Sequence, residues 1–169
     1  MKESKMQEPA SILIVDDSPE NLQVLSNMLA TVGYRVRAVT SGARALAAIE
    51  AAPPDLVLLD VMMPEMNGYQ VCQRLKENAQ TRDIPVIFIS ALSGMEEKLR
   101  AFSVGGVDYV AKPFQPQEII ARVETHVRSR RLQQQLEAAN AELSRQLEAV
   151  NQLNAELQAR NEELDAFAH

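Results

Sequence analysis

Asp55-Leu56-Val57-Leu58-Leu59-Asp60 is an unbroken apolar run that closes on an acid, and two other short apolar runs of the chain also close on charge. Ile12-Leu13-Ile14-Val15 leads into Asp16-Asp17, and Val107-Asp108-Tyr109-Val110-Ala111 leads into Lys112-Pro113. Apolar runs of this length, separated by helical patterns, read as strands buried on both faces of a parallel sheet. Parallel order brings their carboxyl ends to one edge, where open α/β sheets bind ligands. Carboxylates and an ammonium gathered there make poor core material, but they suit a divalent cation and a phosphoryl group. The pattern points to phosphotransfer onto an aspartate.

Strand and helix patterns alternate from residue 12 to about 128. Ser18-Pro19-Glu20 supplies an N-cap, a proline at the first helical position and an early acid, and Leu22, Leu25, Met28 and Leu29 follow at helical spacing. Gly33 can close that helix, Arg35 to Val39 alternates as a second strand, and Ser41 caps a helix bearing Ala45, Leu46 and Ile49. Pro53-Pro54 ends it, and the third strand delivers Asp60. Met63-Pro64-Glu65-Met66-Asn67-Gly68 must turn before a helix from Tyr69 to about Ala79. Val86 to Ile89 is a fourth strand ending at Ser90, a helix spans about Met95 to Val104, Gly105-Gly106 breaks it, and the fifth strand reaches Lys112. Five βα units predict an α/β, doubly wound, five-stranded parallel sheet.

The last helix changes period. Ile119, Ile120, Val123 and Val127 form a stripe suited to covering the sheet, and this phase stops near Arg130. Leu136, Leu143, Val150, Leu157 and Leu164 then fall seven apart, with Leu132, Ala139, Leu153 and Phe167 in a companion row that Gln146 and Arg160 interrupt. A continuous helix from about Gln117 to Ala168 would run roughly 80 Å at ~1.5 Å per residue, far beyond a small domain. The expected organisation is a flexible N-terminus over 1–10, an α/β domain over 11–128 and a coiled coil over 129–169 that pairs two chains in parallel.

Composition excludes several classes. Seventeen Lys and Arg against 23 Asp and Glu give a net charge of −6, and the one dense basic group, Arg128, Arg130 and Arg131, reads as solvated helix surface, so no nucleic-acid partner is expected. A lone cysteine, Cys72, precludes an internal disulfide and falls on a helical stripe with Val71 and Leu75, as a buried small hydrophobe would. His126 has no second ligand at metal spacing and reads as a surface residue. No apolar run nears 18 residues, so no membrane span is expected and the chain reads as cytoplasmic.

The segments Ile-Val-Asp16-Asp17-Ser-Pro, Leu-Leu-Asp60-Val-Met-Met-Pro-Glu-Met-Asn-Gly, Ile-Ser90-Ala and Asp-Tyr109-Val-Ala-Lys112-Pro113-Phe together resemble the receiver domain of two-component response regulators over roughly residues 10 to 128. The resemblance implies a flavodoxin-like fold and a phosphorelay function with Asp60 as phosphoacceptor. It implies Mg²⁺ (or Mn²⁺) held by Asp17, Asp60 and the backbone carbonyl of Met62, with Asp16 as an assisting acid. Lys112 would contact the phosphoryl oxygens, Ser90 would donate its hydroxyl to one of them, and Tyr109 would be the switch aromatic. The Lys112-Pro113 bond matches one that is usually cis in this family. An upstream histidine kinase or phosphotransfer protein is the implied donor.

Asn161-Glu-Glu-Leu-Asp-Ala-Phe-Ala-His169 resembles the approach to the dimerisation helix of histidine kinases, with His169 upstream of the phosphorylatable histidine. This implies a kinase core further along the parent chain, although no ATP-binding motif occurs here. A cyclase or phosphatase effector is the rival output, and a dimerisation module without phosphotransfer is another rival. A haloacid-dehalogenase-type phosphatase would want an acid two residues past its aspartate, where Met62 stands.

Overall fold

A computed structural model describes residues 8–168, so most of the expected flexible N-terminus, and His169, lie outside the described residues. Five parallel strands, β1 (Ser11–Val15), β2 (Arg35–Val39), β3 (Leu56–Asp60), β4 (Val86–Ser90) and β5 (Asp108–Ala111), lie in the order β2-β1-β3-β4-β5. The helices α1 (Pro19–Val32), α2 (Gly42–Ala51), α3 (Gly68–Glu77), α4 (Met95–Ser103) and α5 (Pro116–Phe167) follow the strands in turn. This is the expected flavodoxin-like, doubly wound sheet with a long C-terminal helix. By internal contacts the chain divides into two units, residues 1–130 and 131–169.

The period-2 pleat sorts the strand residues into two cores. Leu13, Val15, Val57, Leu59 and Phe88 face α2, α3 and Ala101 of α4, while Ile12, Ile14, Leu56, Leu58 and Ile87 face α1 and the start of α5. The central strands β1, β3 and β4 are therefore apolar at nearly every position, as strands covered on both faces must be.

Local chemistry sets the helix ends. The Ser18 hydroxyl accepts from Asn21 N at the head of α1, and Gly33 closes that helix at φ 109°. At α3 the cap is reciprocal: the Asn67 side chain accepts from Gln70 N at 2.9 Å, and the Gln70 side chain accepts from Asn67 N at 3.0 Å. This cap starts α3 one residue earlier than its periodicity suggests, and Asn78 ends it short of Ala79. α4 is thinly anchored, with Ala101 its one buried residue while Met95, Leu99 and Phe102 are exposed.

In the first unit α5 lays Ile119, Val123 and Val127 on the core. In the second unit every described residue from Leu132 to Ala168 is exposed, including the whole heptad row. No helix among the described residues is long and apolar enough to cross a membrane.

Gly106 marks how tightly α4 and β5 meet. A Cβ there would lie 2.6 Å from the Phe88 ring and 2.9 Å from the Ala101 carbonyl, neither of which can yield cheaply. Gly106→Ala should lower stability by about 1–3 kcal/mol, the usual range for overpacking. An unchanged urea midpoint would show the contact to be looser than described.

Candidate functional site

Strand register assembles the site. Val15 pairs with Leu59, so the next residues, Asp16 just past β1 and Asp60 at the end of β3, stand side by side. Ser90 pairs with Ala111, and Lys112 follows. Asp16, Asp17 and Asp60 each offer a carboxylate oxygen within 4.8 Å of the others, with Asp16 and Asp60 buried and Asp17 exposed. Lys112 Nζ lies 3.2 Å from Asp16 Oδ2 and 3.5 Å from Asp60 Oδ2. The Lys112-Pro113 peptide is cis, as the resemblance implied.

Asp16 is held by three donors. Ser18 N donates to Oδ1 at 2.9 Å, and Asn21 Nδ2 and Lys112 Nζ donate to Oδ2 at 3.3 and 3.2 Å. Asp60 has fewer partners. Burial raises its carboxyl first, and the Asp16 charge adds to that; Lys112 and a backbone hydrogen bond from Met62 work against it, and the net result is a rise to about 6. Three acids and one ammonium leave an uncompensated charge of −2, which a divalent cation at the three carboxylates would cancel. The donor set, all hard oxygen, fits such an ion.

Ser90 is fully buried, and its Oγ accepts from Leu92 N at 3.1 Å. The Tyr109 ring is turned inward, 5% exposed, and its hydroxyl donates to the Leu92 carbonyl. Burial raises its phenol, with the neighbouring Ser90 hydroxyl opposing the shift. Met62 turns its side chain outward, 59% exposed. Asp16, Asp17, Asp60, Ser90 and Lys112 thus gather at this edge of the sheet, with Met62 just beyond β3, while Tyr109 lies within β5 opposite Phe88 and reaches Leu92 through its hydroxyl.

Other contributors had weak sequence signals. A Cβ on Gly68 would lie 2.2 Å from the Asp60 carbonyl, so the α3 N-terminus can close on the aspartate's own backbone because that position has no side chain. Asn21, which steadies Asp16, is not among the residues the sequence singles out. Tyr69, at the start of α3, donates to Glu97 Oε2 at 2.7 Å and carries Arg100 over its ring, joining α3 to α4. His126 is not the surface residue its sequence suggested. It is half-buried, with Nε2 3.0 Å from Asp108 Oδ2, and Arg122 Nη1 takes Oδ1 at 2.7 Å. Burial pushes Asp108 up, but those two bonds outweigh it and hold the carboxyl below its usual value. Cys72 is buried, and burial raises its thiol to about 11, which suits a packing role.

Residues 12–124 match the response regulator receiver domain. The chain is 46% identical over 121 residues to a probable cyclic di-GMP phosphodiesterase of Vibrio cholerae, covering 72% of this chain and 27% of that protein. Among solved structures, a putative response regulator from Chloroflexus aurantiacus superposes with a TM-score of 0.68 at 36% identity, covering 70% of this chain and 98% of that one. The signal receiver domain of a signal transduction histidine kinase from Syntrophus aciditrophicus gives 0.67 at 34%, covering 71% and 91%. The chain spans between about a quarter and a half of the length of the curated relatives it matches.

The raised Asp60 carboxyl has a measurable consequence in metal-free protein. The folded state binds this proton more tightly than the unfolded chain, whose value is 3.8, so stability falls as the pH rises from about 4 to about 6. The loss is on the order of 2–3 kcal/mol at ~1.36 kcal/mol per unit. Asp60→Asn should therefore melt higher than the wild type in EDTA at pH 7.5, and Mg²⁺ should raise the wild type and leave the variant nearly unmoved. Equal melting in EDTA would mean that the buried charge is already neutralised.

Proposed function

The chain belongs to the response regulator receiver family and serves phosphorelay signalling, and on that footing we propose that Asp60 is the residue that accepts the phosphoryl group. The observation that carries this is the buried Asp60 carboxylate, set within 4.8 Å of Asp16 and Asp17 and 3.5 Å from the Lys112 ammonium. An Asp60 oxygen attacks phosphorus in line with the leaving group of a phosphohistidine or a small acyl phosphate, forming the acyl phosphate as the donor's bond breaks. Lys112 sits where it can follow charge onto the phosphoryl oxygens. Asp17, Asp60 and the Met62 carbonyl are the proposed ligands of Mg²⁺ or Mn²⁺, with Asp16 assisting; when bound, that ion supplies the positive charge that lets two anions meet.

In the phosphorylated form Ser90 releases Leu92 N and donates its hydroxyl to a phosphoryl oxygen. Tyr109, bonded to the carbonyl of the same Leu92, is biased by that rearrangement, and α4, with one buried residue, is the element least able to resist it. The donor is a histidine kinase or a phosphotransfer protein. We further propose that the exposed heptad row pairs with a second copy of the chain in parallel, and that this coil leads to a histidine kinase core. The residues before His169 and the likeness to the Syntrophus kinase receiver support that output. A second reading, an effector acting on a cyclic dinucleotide, draws on the Vibrio relative.

Incubation with acetyl phosphate and Mg²⁺ should add one phosphate to the wild type by intact mass and none to Asp60→Asn; an unmodified wild type would favour a receiver-shaped dimerisation module. Met62 and Leu92, each two residues past a site residue, cannot hydrogen-bond an attacking water. The phosphorylated protein should therefore lose its label slowly, and rapid loss from the isolated protein would contradict this. Cysteine crosslinking along residues 132 to 164 should differ between phosphorylated and unmodified protein, and identical patterns would sink the transmission step.

A further inference from the structure

The exposed helix beyond Arg130 carries one leucine more than a single seam can use. Leu147 is 62% exposed, as much as Leu143 in the main heptad row, yet it lies outside both rows that give the coil its pattern. On one side of the row formed by Leu136, Leu143, Val150, Leu157 and Leu164 stand Leu132, Ala139, Gln146, Leu153, Arg160 and Phe167. One residue further along, on the other side, stand Asn140, Leu147, Asn154 and Asn161 at the same seven-residue interval.

Either side completes a heptad seam, and neither does so throughout. The first buries Leu132, Leu153 and Phe167, but it draws Gln146 and the charge of Arg160 into the interface, where an unpaired charge is costly. Gln146 is already engaged along its own helix, with Nε2 3.4 Å from Glu142 Oε1. The second seam puts Leu147 in place of Gln146 and Asn161 in place of Arg160. Asparagine at such positions is tolerated in parallel pairs, where it fixes register at some cost in stability. Arg160 then moves to the flank, opposite Asp165 of the second copy, the g-to-e pairing of unlike charges that sets partner choice in coiled coils. That complementarity, and a central row that meets itself in a parallel pair, name the occupant as another copy of this chain.

We propose that the segment pairs through two alternative seams that share the row from Leu136 to Leu164 and exchange the companion row. With about 100° between successive residues, the exchange needs each helix to turn by about 50° on its own axis. The inference rests on the coiled-coil dimer proposed above. It adds that the dimer is poised between two rotational states by sequence: Leu132, Leu153 and Phe167 favour the first seam, while Leu147 over Gln146 and Asn161 over Arg160 favour the second.

The test uses the full chain carrying Cys72→Ala, with single cysteines introduced by Val150→Cys in the shared row, Leu153→Cys and Asn154→Cys in the two companion rows, and Gln152→Cys facing outward in both. Oxidation should crosslink position 150 readily, and positions 153 and 154 both well above 152. Adding Gln146→Leu with Arg160→Leu should raise the 153-to-154 ratio, and Asn140→Leu with Asn161→Leu should lower it, each by about fivefold. Crosslinking at 150 with one companion position silent, or a ratio that neither pair moves, overturns the two-seam inference and leaves the dimer standing. A monomeric mass in sedimentation, with no crosslink at 150, removes the dimer and the inference together.

Discussion

The ammonium of Lys112 holds the carboxyl edge of the sheet together. It stands within 3.5 Å of two buried carboxylates that would otherwise repel each other across adjacent strands. One cation cannot balance them and Asp17 as well, and the shortfall appears as the raised Asp60 carboxyl. A fold that buries like charges without full compensation gives up stability at that point. The deficit is matched in sign and size to a divalent cation, so the cost of this edge and its chemistry are two sides of one charge count. Asp16 is fixed by three donors, while Asp60 is buried with Lys112 3.5 Å away.

From that edge the consequences run outward through few contacts. Ser90 and Tyr109 converge on the two ends of one residue, Leu92, whose N–H goes to the serine and whose carbonyl receives the phenol. Asp108, immediately before Tyr109, is gripped by Arg122 and His126 of α5. Tyr69 and Arg100 tie α3 to α4 by a hydrogen bond and a stacked guanidinium. A change around Ser90 therefore meets Tyr109 through Leu92, and the residue before Tyr109 is bonded to α5. Helix α5 continues from there into the exposed heptad rows.

Much of this was legible in the sequence because it is written in periodicity. Continuous apolar runs specified buried parallel strands, the charged residues closing them specified the edge, and the shift from 3.6 to a seven-residue repeat near Arg130 marked the boundary between the two units. Asp16, Asp17, Asp60 and Lys112 stood out because each closes an apolar run, whereas Ser90, Tyr109 and Met62 entered through the resemblance to the receiver family. What was hidden depends on tertiary approach. Gly68 looked like a turn glycine, and its function is the space its missing side chain leaves over the Asp60 carbonyl. His126 looked solvent-facing because nothing local reveals that Asp108 would rise to meet it from β5. Tyr69 marked only the start of a helix in the sequence, and the packing of α3 on α4 places its hydroxyl on Glu97.

The most direct test of the central claim is to trap the acyl phosphate chemically where it forms. Protein treated with acetyl phosphate and Mg²⁺ is reduced with borohydride, which converts a phosphorylated aspartate to homoserine, and its peptides are mapped by mass. The account predicts conversion at Asp60, with Asp16 and Asp17 untouched and no conversion when EDTA replaces the metal. Conversion at another carboxylate, or equal conversion without metal, would contradict it.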